Sequence, residues 1–178
     1  TTSCGYFEIG TLIEQDKLAI VNLETPLSET VVPPTRGDHP VLGAPPEVAE
    51  ALAKAGIDVA SVANNHAFDQ DSLGLQQTID ALEKAGIRPV GAASSSNEVF
   101  TPVLVEHQGV KVAFIAGTGP MNQRHRGQGD KLFVGRLRNE EALLRGVEKA
   151  RDDGAEVVVA LLHWMWDYRT GPRRYEHG

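Results

Sequence analysis

The sequence predicts an α/β fold in which a mixed, largely parallel sheet is covered by helices. Short β-branched apolar runs alternate with segments whose apolar residues recur at helical spacing. Strands that alternate with helices form βα units, and such units build parallel sheets with helices packed on their faces. Two apolar runs on either side of Gly109 also predict a hairpin, which adds an antiparallel pair of strands.

The first half of the chain predicts three strands and two helices. In chain order they are strand 18–23, helix 47–56, strand 58–63, helix 72–85 and strand 89–92. Gly56 and Gly86 are expected to end the two helices, because glycine adopts the left-handed conformation of a helix C-terminus at little cost. Asp71 or Ser72 is the expected cap of the second helix.

The second half predicts the hairpin, a further helix and a further strand. These elements are strand 103–106, strand 110–116, helix 139–153 and strand 156–162. The helix places Leu143, Val147 and Ala150 on its inward face. Two stretches without periodicity are expected to be loops: 28–46, which contains five prolines and is expected to be extended on the surface, and 117–131.

Composition and charge fit one globular domain that spans residues 1–178. The chain has 178 residues, a formal net charge of −7 and 41% hydrophobic residues, which are ordinary values for such a domain. General binding of the nucleic-acid backbone is not expected, because it needs a clustered basic face. The single cysteine, Cys4, rules out an internal disulfide framework. The sequence contains neither a run of about 18 apolar residues nor a signal-peptide pattern.

Polar side chains follow three of the predicted strands. Glu24 stands just after the first strand and His163 just after the last. Asn65 and His66 follow the second strand. Because the carboxyl ends of parallel strands share one edge of a sheet, where ligands bind, these four side chains are expected to converge.

The chemistry of these side chains is that of a metal-dependent hydrolase. Glutamate and asparagine offer oxygen ligands to divalent metals, and histidine offers a neutral imidazole nitrogen. A carboxylate between two cations can bridge them, and two metals about 3.5–4 Å apart stabilise the entering and leaving oxygens of phosphoester hydrolysis. A histidine at the border of such a cluster can instead protonate the leaving oxygen.

Each of these residues also has a purely structural interpretation. Glu24 can be a solvated strand end, and Asn64 and Asn65 can serve only the left-handed geometry of a turn. Asp69 can cap the following helix or can orient an imidazole. His163 can be a hydrogen-bonded histidine of the core.

Two motifs resemble those of a known family. The segment A-N-N-H-A-F-D at residues 63–69, preceded by N-L-E-T-P-L at residues 22–27, is similar to the CapA family of poly-γ-glutamate capsule synthesis proteins, which are related to calcineurin-like metallophosphoesterases. The similarity covers most of the chain, from residue 18 to residue 168. It implies a four-layer αββα metallophosphatase-like sandwich.

The resemblance also implies a role for each residue of the site. Glu24 takes the place of a metal-bridging carboxylate, and Asn65 and His163 take the places of metal ligands. His66 takes the place of the catalytic histidine, with Asp69 supporting it. Four further residues are assigned to the substrate-binding part of the site: Asn22, Asn64, Trp164 and Tyr168. The implied cofactor is a pair of divalent ions of Mn, Fe or Zn.

The family pattern extends beyond the motifs found here. It includes a Gly-Asp segment before the first strand and a Gly-x-His-Pro-His segment near its end, and both supply metal ligands. Neither segment stands in residues 1–178. The chain is therefore expected to be either a fragment of the family's domain that lacks the first and last metal motifs and is incomplete at both ends, or a degenerate member of the family.

Two functions follow from the resemblance. The first is a metal-dependent phosphoester hydrolase of the bacterial cell envelope or extracellular space that contributes to capsule or poly-γ-glutamate production. The second is a non-catalytic component of a capsule polymer synthesis or export complex, with synthase subunits or polyglutamate as partners. An acidic polymer would need local basic groups, and the candidates are Arg124 with Arg126, and Arg169 with Arg173 and Arg174.

Overall fold

The computed structural model describes residues 17–31, 40–122 and 132–164. In chain order the elements of these residues are β1 (Ile20–Asn22), α1 (Val48–Lys54), β2 (Val59–Ser61), α2 (Asp71–Lys84), β3 (Arg88–Val90), β4 (Ala92–Ala93), β5 (Val103–His107), β6 (Val110–Thr118), β7 (Phe133–Val134), α3 (Glu140–Asp152) and β8 (Val157–His163). The three predicted helices are all present, each close to its expected bounds. None of the described helices has the length and apolar character needed to cross a membrane.

The strands form two larger sheets and one small one. The first sheet has the order β1-β2-β3 and is wholly parallel, with Asn22 opposite Ser61 and Ser61 opposite Val90. The second has the order β5-β6-β8. In it, β5 and β6 form the predicted hairpin, and β8 runs parallel to β6 with His163 opposite Thr118. The small sheet pairs β4 with β7 in antiparallel orientation.

The two larger sheets pack between helices. α1 contacts α2, which contacts β3, while α3 contacts β6 and β8, and β3 contacts β6 between the sheets. The buried core includes Val59, Leu75, Leu82 and Phe114, which come from both larger sheets and from α2. These contacts give the layer order αββα and confirm the predicted four-layer fold with mixed sheets.

The predicted strand 89–92 is divided in the structure. β3 ends at Val90 in the first sheet, and β4 begins at Ala92 in the small sheet. Gly91 lies between them with a φ of 99°, a conformation that glycine adopts readily and other residues rarely do. Its carbonyl oxygen accepts a hydrogen bond from Gly135 N at 2.9 Å. The chain therefore changes from one sheet to another at a single glycine.

The start of α2 also differs from the prediction. The N-cap position is occupied by Gln70, which makes no side-chain cap hydrogen bond, and Asp71 lies inside the first turn with a φ of 56°. Neither Asp71 nor Ser72 is therefore the cap. The Gln70 side chain instead donates to Leu42 O at 2.8 Å, so this turn is joined to the loop that precedes α1.

The described part of the proline-rich stretch agrees with the expected surface loop in part: Glu29, Thr30, Val31 and Pro40 are exposed, whereas Ser28 and the residue before the stretch, Leu27, pack against the domain. Leu27 and Ala44 form a parallel bridge, and Ser28 N donates to Ala44 O at 2.8 Å. Leu27 and Ser28 are both buried. The reason is that Leu27 finds a hydrogen-bond partner on α2, in the side chain of Thr78.

Replacing Thr78 by valine is expected to lower the free energy of unfolding by about 1–3 kcal/mol. The Thr78 hydroxyl accepts a hydrogen bond from Leu27 N at 2.7 Å and donates to Gly74 O at 2.7 Å. Valine keeps the volume but leaves the buried N–H of Leu27 without an acceptor. Urea denaturation followed by circular dichroism measures the loss.

Thr78→Ser is the matched control, because serine keeps the hydroxyl and loses one methyl group. It is expected to cost about 1 kcal/mol, the value for one buried carbon. A valine variant as stable as the native protein would show that the hydroxyl does not hold Leu27 in place.

Candidate functional site

Asn64 ties the carboxyl ends of β1 and β2 together. Its amide nitrogen donates to Leu23 O at 2.9 Å and to Asn22 Oδ1 at 3.3 Å. Its amide oxygen accepts a hydrogen bond from the backbone N–H of His66 at 3.1 Å. Asn64 is buried. Loss of a hydrogen-bond partner here would lower the stability of the fold, because no water replaces that partner. The predicted residues Asn22 and Asn64 are thus joined to each other and to the turn that carries His66.

His66 and Asp69 form a buried pair. His66 Nδ1 lies 2.6 Å from Asp69 Oδ2, and the two side chains are 5% and 0% exposed. The same carboxylate oxygen accepts a hydrogen bond from the backbone N–H of Leu42 at 2.7 Å. Of the two interpretations of Asp69, helix cap or support for an imidazole, the structure shows the contact with the imidazole.

The contact with Asp69 determines which ring nitrogen of His66 is available for proton transfer. A carboxylate 2.6 Å from Nδ1 favours a proton on that nitrogen. Nε2 is then left to accept a proton, or to donate one when the ring is an imidazolium. The carboxylate also stabilises the positive charge of the imidazolium. The arrangement can therefore serve a general acid or a general base.

Asn122 is a neighbour of His66 that the sequence analysis missed. Its Nδ2 lies 3.1 Å from His66 Nε2 and 3.4 Å from His66 Nδ1. Its backbone N–H donates to Asn65 O at 2.9 Å. Asn122 follows β6, which ends at Thr118, within the aperiodic stretch 117–131. It lies four residues beyond the end of that strand, so the rule that selected polar residues close after the other strands does not reach it.

Glu24 and His163 lie close together although they belong to different sheets. Glu24 Oε1 lies 3.9 Å from His163 Nε2, and the two side chains are 41% and 23% exposed. Glu24 follows β1 of the first sheet, and His163 ends β8 of the second. The sequence predicts convergence at one edge of a single sheet, whereas the structure brings together the ends of two facing sheets.

The remaining predicted residues lie beside these two pairs along the chain. Asn65 is buried, and its carbonyl oxygen accepts the hydrogen bond from Asn122. Trp164 follows His163 and is largely exposed. Tyr168 lies outside the described residues. The roles that the resemblance assigns to these residues stay predictions.

Glu24 and His163 carry donor atoms of the kind that divalent metals bind. A carboxylate oxygen and an imidazole nitrogen are donors that Mn, Fe and Zn accept. The 3.9 Å between Glu24 Oε1 and His163 Nε2 allows both to bind one ion, since ligand–metal distances are about 2.0–2.2 Å. Within 17–31, 40–122 and 132–164, no group of three or more His, Cys, Asp or Glu side chains is placed to hold a metal. These residues therefore fit one ion in part and do not complete the expected two-ion site.

Comparisons with known proteins agree with the resemblance. The chain is 31% identical over 141 residues to the capsule biosynthesis protein CapA of Bacillus anthracis, and the match covers 74% of this chain and 32% of that protein. The chain thus spans about a third of the length of this relative. Among solved structures, a 5′-nucleotidase precursor from Thermus thermophilus is similar over 66% of this chain and 24% of that chain, with 20% identity and a TM-score of 0.48.

The family comparison covers almost all of the sequence. The family model of the bacterial capsule synthesis protein PGA_cap matches residues 6–177, a range that includes every residue of the site described above. The chain therefore belongs to the PGA_cap family of bacterial capsule synthesis proteins.

Proposed function

We propose that this chain supplies the proton donor and two metal ligands of a phosphoester hydrolase that acts in capsule synthesis at the bacterial cell envelope. The observation that carries the proposal is the buried pair of His66 and Asp69. Burying an ionisable pair is costly, because both groups lose their water. A carboxylate-bound imidazole is also the arrangement that general acid catalysis needs.

The position of this pair in the fold supports the same proposal. The Asn64 side chain bonds both to the backbone N–H of His66 and to the carbonyl oxygen of Leu23, the residue before Glu24. A single buried side chain therefore links the turn of the proton donor to the strand end that presents a candidate metal ligand.

The residues of this chain transfer one proton to the leaving oxygen of the ester. The oxygen of a water molecule bonds to phosphorus as the bond between phosphorus and the leaving oxygen breaks, and one proton of that water passes to solvent. His66 Nε2 gives its proton to the leaving oxygen, and Asp69 stabilises the ring until the proton leaves. The Asn122 amide lies beside Nε2, and the leaving oxygen joins it there. An ion bound by Glu24 and His163 would supply positive charge to a phosphoryl oxygen.

Replacing Glu24 by glutamine in the full-length protein is expected to lower both metal content and rate by about 10-fold or more. Loss of an outer-shell partner of a metal ligand already costs about 10–100-fold in affinity or activity, and Glu24 is proposed as a direct ligand. Metal content is measured by elemental mass spectrometry after purification without chelator. The rate is measured on bis(4-nitrophenyl) phosphate with added Mn²⁺.

Glu29→Gln is the matched control, because Glu29 is an exposed acid on the same stretch of chain. It is expected to leave metal content and rate unchanged. Native metal content and native rate in the Glu24 variant would show that Glu24 is not a metal ligand. No hydrolysis by the metal-loaded native protein would refute the hydrolase itself.

The second candidate function is a binding or assembly role in a capsule polymer synthesis or export complex. The observation that favours it is that the His, Cys, Asp and Glu side chains of the described residues meet in pairs, such as Glu24 with His163, and not in a group of three or more that could hold a metal. The partners would be synthase subunits or polyglutamate. The net charge of −7 opposes binding of an acidic polymer, and the predicted basic candidates lie outside the described residues: Arg124, Arg126, Arg169, Arg173 and Arg174.

Equilibrium dialysis against polyglutamate distinguishes the two candidates. Retention of the polymer by the metal-loaded full-length protein, with no phosphodiester hydrolysis, would favour the binding role. Hydrolysis without retention would favour the enzyme. Fractionation of cells that express the full-length protein tests the proposed location in the envelope.

A further inference from the structure

A short segment after β6, residues 119–122, connects the two halves of the site. Gly119 N donates to His163 O at 2.9 Å, at the end of β8. At the other end of the segment, the side chain of Asn122 contacts both ring nitrogens of His66, and its backbone N–H bonds to the same turn. The segment thus runs from the strand that presents His163 to the turn that presents His66.

Arg136 anchors the start of this segment. Its Nη2 donates to Gly119 O at 2.7 Å. Next to that bond, Thr118 and Arg136 form a parallel bridge, in which Leu137 N donates to Thr118 O at 2.9 Å. Hydrogen bonds from a charged donor are roughly twice as strong as neutral ones. The bond from Arg136 therefore fixes the point at which the chain leaves β6.

The position of the Arg136 guanidinium is energetically unfavourable for a charged group. Its Nε is buried and has no hydrogen-bond partner among the described residues. Burial, and to a lesser extent the positive charge of Arg138, lower the pKa of Arg136. A partly buried cation with an unused donor does little for the stability of a core. The hydrogen bond from Arg136 Nη2 to the Gly119 carbonyl oxygen is therefore the contact to which we assign a function.

His66 has polar contacts on both sides of its ring. Asp69 holds Nδ1 at 2.6 Å, and the Asn122 amide lies 3.1 Å from Nε2. Proton transfer requires Nε2 at a defined place, and a displacement of about 1 Å can cost about 10²-fold in rate. The position of Asn122 is therefore tied to the position of the reacting nitrogen.

We propose that Arg136 is a positioning residue for His66. By holding Gly119 it fixes the 119–122 segment, and that segment keeps Asn122 against the imidazole. The expected effect on rate rests on the proposed hydrolytic function, whereas the expected effect on the ring rests only on the contacts described above.

Two variants of the full-length protein test the proposal: Arg136→Gln and Asn122→Ala. Each is expected to lower kcat for bis(4-nitrophenyl) phosphate by about 10–100-fold with little change in KM. Each is also expected to shift or broaden the ring signals of His66 in the ¹H–¹³C NMR spectrum of protein labelled at histidine. The His66→Gln variant assigns those signals by removing them.

Arg138→Gln is the matched control, because it removes the same charge from the neighbouring exposed arginine, whose side chain does not hold Gly119. It is expected to leave kcat and the ring signals as in the native protein. Arg136→Lys keeps a cationic donor near Gly119 and is expected to recover part of the kcat lost in the glutamine variant.

Native His66 ring signals in both Arg136→Gln and Asn122→Ala would overturn the proposal, whatever the protein hydrolyses. Equal changes in the Arg136 and Arg138 variants would also overturn it, since the effect would then come from net charge. A higher kcat in Asn122→Ala would show that the amide obstructs the ring, which is incompatible with positioning. Native protein without hydrolysis, but with ring signals that respond as expected, would refute the proposed function and support the positioning role.

Discussion

Replacing His66 by glutamine is expected to lower kcat for phosphodiester hydrolysis by about 10²–10⁴-fold, the usual contribution of a positioned general acid. Asp69 Oδ2 lies 2.6 Å from His66 Nδ1, and the amide of glutamine can donate to the same oxygen. The buried carboxylate therefore keeps a partner. Glutamine has no proton that it can transfer, so the loss measures proton donation. Initial rates of the metal-loaded full-length protein give kcat and KM.

A comparison of esters with different leaving groups makes this test specific for proton donation. A 4-nitrophenolate is a weak base and leaves readily without a proton. A phenolate or an alkoxide is a stronger base, so its departure depends more on receiving a proton. The loss caused by His66→Gln is therefore expected to be larger for a phenyl ester than for the 4-nitrophenyl ester. A loss that is the same for both esters would show that His66 does not act as the proton donor.

Two controls separate proton donation from damage to the site. His107→Gln changes a histidine at the end of β5, on the hairpin, and is expected to leave the rate unchanged. Metal content in the His66 variant is expected to match that of the native protein, because Glu24 and His163 are untouched. An unchanged kcat in a folded, metal-loaded His66→Gln protein would contradict the assigned role.

The site was predictable from the sequence to the extent that it depends on strand ends. Glu24 and His163 were selected because each follows an apolar run, and their side chains lie 3.9 Å apart. The rule gives the end of the strand at which a residue lies, but not the sheet to which the strand belongs. Sheet membership depends on pairing between residues distant in sequence, such as β6 with β8. The strand-end rule alone therefore could not predict that two sheets meet at the site, although the family resemblance implied a fold with two sheets.

Two contacts of the His66–Asp69 pair lay beyond sequence reasoning for different reasons. Leu42 bonds to Asp69 through its backbone N–H, a group that every residue except proline carries, so its side chain gives no signal. Asn122 contacts His66 from a stretch that has no apolar periodicity. Its position beside the ring accompanies hydrogen bonds at both ends of the 119–122 segment, from Gly119 N to His163 O and from Asn122 N to Asn65 O, which join residues distant in sequence.

The fold was predictable where apolar periodicity is long enough to identify an element. α2 and α3 extend over 14 and 13 residues and were predicted close to their bounds. β4 and β7 have two residues each, too few for alternation to be recognised. β4 and β7 pair with each other after the chain changes direction at Gly91. The same change of direction therefore explains why these two strands were not predicted and why strand 89–92 was wrongly predicted as continuous.

Gly91 also lies between residues that belong to the two larger sheets or adjoin them. A Cβ atom at this position would lie 2.6 Å from Ala63 Cβ and 2.8 Å from Ala116 Cβ. Ala63 follows β2 of the first sheet, and Ala116 belongs to β6 of the second. Both alanines are fully buried, and close packing leaves them no space to move aside without a shift of the strands.

Gly91→Ala is therefore expected to lower the free energy of unfolding by about 2–5 kcal/mol, as the sum of two terms. The φ of 99° is strained for alanine, which costs about 1–2 kcal/mol for a left-handed residue. Overpacking between the sheets adds about 1–3 kcal/mol. Urea denaturation followed by circular dichroism measures the total.

Gly86→Ala separates the two terms, because Gly86 has a similar φ of 84° but no heavy atom within 4 Å of the position of its Cβ. It is expected to cost only the conformational term of about 1–2 kcal/mol. The excess of about 1–3 kcal/mol in the Gly91 variant then comes from forcing the two sheets apart. Equal losses in the two variants would contradict the close approach at Gly91. Because Glu24 and His163 follow strands of the two separate sheets, a real excess would also predict weaker metal retention in Gly91→Ala than in Gly86→Ala.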